Sequence, residues 1–350
     1  RSSSRMAVGG RMPVAALRTT DVKRVLSSLQ RRAACRREAM EGCVRVQPLL
    51  EPAAHRLDAM YERFVMGSSV DAAAASLQEL EKETHAVAET LRSLAEYERR
   101  ADGAQRVMRD ANSLLIGARV LVARAEELSA GQAASFVDEG ESVPLSELVQ
   151  GTVDDARAFC REKFGDAPEI EVQADEADVP ASAAAHVPLA HYARFALFEI
   201  LKNAMGAHVH ALGADRLDER APIRLRHRTS ASGWAHVGVY DHGGGWKHAA
   251  AAQQAALFLS STRSSREPNY TYSRDFGEPF ESMGMGLPLA ALHARYLGGG
   301  IHLCGREDVG VDAILNLDVS GGRSDPEDFV AAHTHSLLAA RVPISFGQRR

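Results

Sequence analysis

The sequence predicts an α plus α/β fold: an N-terminal helical bundle followed by a mixed α/β sandwich with helices on one face of its sheet. Three observations carry this. Helical periodicity fills residues 20 to 130 and little else is present there. After Gly140 short alternating runs appear, with helical stretches between them. Strands and helices then interleave without the regular rhythm of βαβ units, so a mixed sheet is expected rather than an all-parallel one.

The bundle elements come first. Between Val70 and Arg100, apolar residues fall at Leu77, Leu80, Val87, Leu91 and Leu94, with Thr84 in the one slot that departs. Steps of three and four make one stripe along a helix, with charge on the other side. A second helix is predicted from about Ala104 to Leu128, before the Ser129-Ala130-Gly131 break. Prolines are few in this half, which suits long antiparallel helices. The predicted divisions are 1–20 as a leader, 21–135 as the bundle, 145–320 as the α/β domain and 321–350 as a tail.

Segment 145–164 reads as an amphipathic helix stopped by Gly165. Strands are predicted at Glu169–Ala174, Ile223–Arg228, Ala235–Tyr240, Ile301–Cys304 and Ala313–Val319. A helix is predicted from about Pro188 to Leu212 and another from Pro288 to Leu297. The second has Pro in its first turn, Leu289, Leu292 and Tyr296 along one side, and Gly298-Gly299-Gly300 to end it.

Composition narrows the function classes. The 350 residues leave room for two domains, and a net charge of -5 gives no reason to expect nucleic acid as a partner. No stretch approaches the roughly 20 apolar residues needed to cross a bilayer. Cys35, Cys43, Cys160 and Cys304 show neither a CxxC pair nor regular spacing, so free thiols are expected. Residues 1–20 hold Arg1, Arg5, Arg11 and Arg18 and no acidic residue. That is the composition of a transit-peptide remnant, and a leader of no consequence reads equally well.

Three pieces carry chemistry. In FEILKNAM, residues 198–205, Glu199 and Asn203 are four apart and project from one helix face. In VYDHGGGW, residues 239–246, an apolar strand ends in Asp241 and runs into three glycines. A short carboxylate there can accept a hydrogen bond from an exocyclic amine such as adenine's, although Asp-x-Gly-Gly alone is also good turn chemistry. In SMGMGLPLAALHARYLGGG, residues 282–300, Gly284 and Gly286 precede a helix, where free N–H groups and the helix dipole converge and phosphate oxygens are held. A lone G-x-G is weak; order and spacing make the three informative together.

That layout resembles the GHKL ATPases, whose ATP-binding sandwich is of the Bergerat type. FEILKNAM, DHGGGW, the Ser260-Ser261-Thr262 string and GMGLPLAALHARYLGGG look like the mitochondrial α-keto acid dehydrogenase kinases, and so does the stretch LSELVQGTVDDARAFCREKFG. The resemblance runs from about residue 104 to 320. It implies ATP and Mg²⁺ as cofactors, and phosphorylation and inactivation of the E1 component, with pyruvate preferred over branched-chain substrate. Glu199 would be the general base and Asn203 the Mg²⁺ ligand. Asp241 would read adenine, with Gly243 and Gly245 shaping the pocket. Ser261 and Thr262 would line the nucleotide site, and Ser282, Met283, Gly284, Met285, Gly286 and Leu287 would cover the phosphates. Arg263–Glu281 corresponds to a lid. The resemblance also implies the mitochondrial matrix, docking on a lipoyl-bearing E2 core and a homodimer.

The chain departs from the family in three places. Arg119 falls where the family has a histidine near the base, placed to pair with Glu199 and weaken it. Gly206 replaces an arginine after NAM. Trp234 and Trp246 are the only tryptophans, so residues 321–350 lack the one that the family uses in dimerisation. Departures of this kind leave open a nucleotide-binding regulator with little transfer, or another ATPase or histidine kinase of the superfamily. His208-x-His210 and His333-x-His335 are the close histidine pairs, and on a helix residues two apart point to different sides, so a metal site at the first is disfavoured.

Overall fold

A computed structural model of the protein describes residues 142–175, 186–246, 255–259 and 284–319, the backbone of Ile344–Gly347, and individual helical residues between 75 and 119. The predicted leader, most of the bundle, and Ser261, Thr262, Ser282, Met283 and the lid lie outside the described residues.

In chain order the elements are β1 (Val143–Pro144), α1 (Leu145–Phe164), β2 (Ile170–Ala174), β3 (His186–Val187) and α2 (Ala190–Leu212). A short 3-10 helix, Ala214–Glu219, follows. Then come β4 (Ile223–Thr229), β5 (Trp234–Tyr240), α3 (Gly286–Tyr296), β6 (Gly300–Arg306), β7 (Gly310–Asp318) and β8 (Ile344–Gly347). β1 and β3 form a small antiparallel pair. The main sheet has the order β2-β4-β5-β7-β6-β8. β2 runs parallel to β4 and β8 parallel to β6, while the four central strands are antiparallel neighbours. The sheet is therefore mixed, as predicted.

Alternation decides which face is covered. Ala235, Val237 and Val239 on β5 lie opposite Leu317, Leu315 and Ala313 on β7, and Leu315 and Ala313 face Ile301 and Leu303 on β6. All of these are buried, so one apolar face runs across the sheet. On β4 the intervening Arg224, Arg226 and Arg228 are exposed.

Three helices cover that apolar face. α1 buries Leu145, Leu148, Val149, Thr152, Val153, Ala156 and Cys160, a stripe at helical spacing, and Gly165 ends it with φ 88 and an N–H to Arg161 O at 2.8 Å. α2 is apolar nearly all round because it is buried between the sheet and the other two helices. Phe159 of α1 meets Phe198 of α2 edge-on at 5.8 Å. Leu197 and Leu201 are fully buried, and truncating either to Ala would cost about 2–5 kcal/mol.

The helical residues before 120 reach this core. Tyr192 donates to Ile116 O at 3.1 Å, and Gln105 holds Phe258 through two bonds of 2.8 Å, one to its N–H and one to its C=O. Thr84, the break in the apolar stripe, is fully buried beside Ala88 in the same helical register. His85 is half-buried.

Candidate nucleotide site

The middle of α2, the end of β5 and the start of α3 converge on one cavity of about 300 Å³. Glu199, Asn203, Asp241, Gly243, Gly245, Gly284, Gly286 and Leu287 all line it. The three sequence pieces are thus brought together, although more than 80 residues separate the first from the last. Met285 is fully buried behind the loop and is not in the lining.

Glu199 is 1% exposed, and the ammonium of Lys202 lies 2.5 Å from its Oε1. One turn of α2 separates them, which is the spacing at which helical ion pairs form. Arg119, predicted to pair with Glu199, is instead 2.8 Å from Glu81 Oε1 on the neighbouring helical stretch. The cation at the base is therefore Lys202. Gly286 is the reason that a carboxylate fits here: a Cβ on that residue would lie 1.8 Å from Glu199 Oε2. Asn203, on the next turn, is exposed.

Asp241 ends β5 and is 5% exposed. Its Oδ1 accepts from Gly243 N–H at 2.8 Å and Val311 N–H at 3.1 Å. No described residue donates to Oδ2. Burial pushes the carboxyl up to about 6 against these two hydrogen bonds and the Arg306 guanidinium, which favour the charged form. A buried carboxylate with one oxygen still to be satisfied is suited to a ligand N–H donor.

Backbone contacts fix the loop that follows. Asp241 N–H donates to Val311 O at 3.0 Å and Gly244 N–H to Val309 O at 3.1 Å. Gly245 has φ 67, and a Cβ there would lie 2.1 Å from Arg306 O, so only glycine fits. Arg306 itself pairs with Asp312 at 2.7 Å.

Sequence reasoning missed several cavity residues. Lys202 sits inside the FEILKNAM string, and its spacing from Glu199 could have found it. Trp246, half-buried in the cavity wall, lies against Gly305, where a Cβ would come within 2.6 Å of the indole. Val311 and Leu303 enter from β7 and β6, and strand alternation alone cannot tell which core residues will border a cavity. Gly310 lies so close to Asp241 that a Cβ would be 1.9 Å from its carbonyl oxygen.

Of the metal readings, the first histidine pair splits as helical spacing requires. His208 is buried, whereas His210 is exposed beside Phe164. Among the described residues no group of three or more His, Cys, Asp or Glu side chains is placed to hold a metal ion. A divalent cation held by Asn203 would take its remaining oxygen ligands from phosphates and water, a set that suits Mg²⁺. Cys160 and Cys304 are free and buried, as predicted; Cys35 and Cys43 lie outside the described residues.

No model of a protein family matches the chain. Individual proteins do. A mitochondrial pyruvate dehydrogenase (acetyl-transferring) kinase of Arabidopsis thaliana is 29% identical over 184 residues, 51% of this chain and 47% of that protein. The enzyme of the same name from Schizosaccharomyces pombe is 29% identical over 180 residues, covering 50% and 40%. Isozyme 3 of Homo sapiens is 28% identical over 180 residues, covering 51% and 43%. The matches thus span less than half the length of these curated relatives. Over the matched half, this chain is similar to the mitochondrial pyruvate dehydrogenase kinases.

Proposed function

We propose that the chain is an ATP-dependent protein serine kinase of the GHKL type that phosphorylates and inactivates the E1 component of the pyruvate dehydrogenase complex. The observation that carries this is the convergence of Glu199, Asn203, Asp241 and Gly286 on one cavity. Relatives named as kinases of that complex support it.

In this reading the adenine amine donates to Asp241 Oδ2, and the open N-terminus of α3 receives phosphate oxygens through its free N–H groups. Mg²⁺, when bound through Asn203, supplies charge neutralisation at the phosphates. Glu199 takes the proton of a substrate serine hydroxyl. The serine oxygen forms its bond to the γ-phosphorus as the bond to the departing ADP oxygen breaks. Gly286 lets the phosphate loop approach the base without a side chain between them. By the resemblance, Ser261 and Thr262 would line the nucleotide site, and Ser282 and Met283 would belong to the phosphate-covering loop.

The same reading gives the chain a helical bundle at 21–135 that docks on the lipoyl-bearing E2 core, a kinase domain at 145–320, a homodimeric state and a place in the mitochondrial matrix. Transfer of radiolabel from ATP to purified pyruvate and branched-chain E1 tests it. Label on serine of pyruvate E1 supports the reading; ATP binding with no label on either E1 removes it. That second outcome describes a nucleotide-binding regulator, the reading that a Lys202 ammonium resting on Glu199 would favour if the pair never opened.

A further inference from the structure

The peptide of His242, between Asp241 and Gly243, is gripped from both sides. Its N–H meets His208 Nε2 at 2.9 Å, and its C=O accepts from Arg220 Nη1. A backbone N–H can only donate, so Nε2 of His208 must be the acceptor and the ring proton sits on Nδ1. His208 is 1% exposed. Ala207, its neighbour on α2, touches the same loop: a Cβ on Gly243 would fall 2.3 Å from the Ala207 Cβ. The last turns of α2 and the residue after the 3-10 helix thus set the position of the peptide that follows Asp241.

We infer that His208, with Arg220, is a positioning residue for base recognition, holding the Asp241–Gly243 loop where its carboxylate reads the adenine edge of the nucleotide. The inference rests on the ATP-binding reading and deepens it by naming what fixes the base-reading end.

The ring's chemistry suits this task. Burial first, then Arg220 and His242, holds the imidazole down at about 4, so it stays neutral and keeps its lone pair at working pH. Val311 locks Asp241 to β7 and Val309 holds Gly244. His208 and Arg220 add the only side-chain grips among the described residues on the N–H and C=O of His242 between them. The phosphate end, at Gly286 and Asn203, shares no hydrogen bond with His208, so the two ends of the cavity are separable by mutation.

The test uses the full chain and measures binding of Mg·ATP and Mg·GTP by calorimetry, with thermal unfolding alongside. In His208→Leu the acceptor is lost; the Kd for ATP should rise about tenfold while that for GTP stays put, so discrimination between the bases collapses. His208→Gln, which returns an acceptor at similar reach, should restore the wild-type ratio. Arg220→Gln should show the same selective loss, and it serves if His208→Leu does not fold. Equal weakening of ATP and GTP in these variants, or wild-type ATP affinity in both, overturns the inference while leaving the ATP reading intact. Failure of the wild-type chain to bind ATP removes the reading and the inference with it.

Discussion

Lys202 Nζ lies 2.5 Å from Glu199 Oε1, and the carboxylate it holds is almost wholly buried. The proposed base therefore rests in an ion pair, and its second oxygen points at the start of α3. Replacing Glu199 with Gln keeps the shape and removes the proton acceptor. Transfer of phosphate to E1 should fall about 10²–10⁴-fold, with ATP affinity spared. A loss of ATP binding as large as the loss of transfer would contradict the assignment; equilibrium binding beside a radiolabel assay separates the two.

Asp241→Asn leaves an oxygen at Oδ1 for Gly243 and Val311 but puts an amide donor where the adenine amine should be received. ATP affinity should drop by about 1.5–3 kcal/mol. The pH dependence of stability gives a second, ligand-free readout. Folded Asp241 keeps its proton up to about 6, whereas the unfolded chain releases it at the ordinary 3.8. The folded state thus binds more protons between those values, and this residue's contribution to stability falls as pH rises through them. About one pH unit above 6 the loss levels off, at about 3 kcal/mol. Denaturant titrations should therefore show Asp241→Asn gaining on wild type by that order between pH 4 and pH 7.

Gly286→Ala would place a methyl 1.8 Å from Glu199 Oε2 and 2.6 Å from its carboxyl carbon. Either α3 or the Glu199–Lys202 pair must shift. Overpacking of this kind costs about 1–3 kcal/mol, and transfer should fall with it. Unfolding in urea checks the first expectation. An alanine variant with wild-type stability and activity would show that the two elements are looser than the contact implies.

Trp246 borders the cavity, and Trp234 begins β5 seven residues before Asp241. Nucleotide binding should therefore change the intrinsic fluorescence through Trp246. Trp246→Phe should abolish the change and Trp234→Phe should preserve it. The reverse assignment would mean that the ligand lies elsewhere.

Much of this architecture is legible in the sequence where a local signal suffices. Gly165 stops α1 where predicted, and β4 and β5 alternate as expected. The sequence places the start of α3 two residues late, at Pro288, because Pro is preferred in a first turn; the helix begins at Gly286, which is why that glycine can face Glu199. Two-residue strands such as β1 and β3 have no periodicity to read. β8 lies in a segment whose sequence predicts only a tail, and its pairing with β6 is a long-range event. At the site, motifs mark the polar anchors. Lys202 is one turn from Glu199 and its pairing is local, whereas Val311, Gly310 and His208 act through partners 34 to 70 residues away, and their roles exist only once the chain is folded.

The short strand at 344–347 gives the sheet two unlike flanks. Beside β6 the main-chain groups already meet the chain's own tail. At the opposite flank β2 stands outermost among the described residues, with Val172 at 37% exposure. A visiting polypeptide that docks by adding a strand can lengthen this sheet past β2 without displacing anything described, whereas to pair directly with β6 it must first evict residues 344–347.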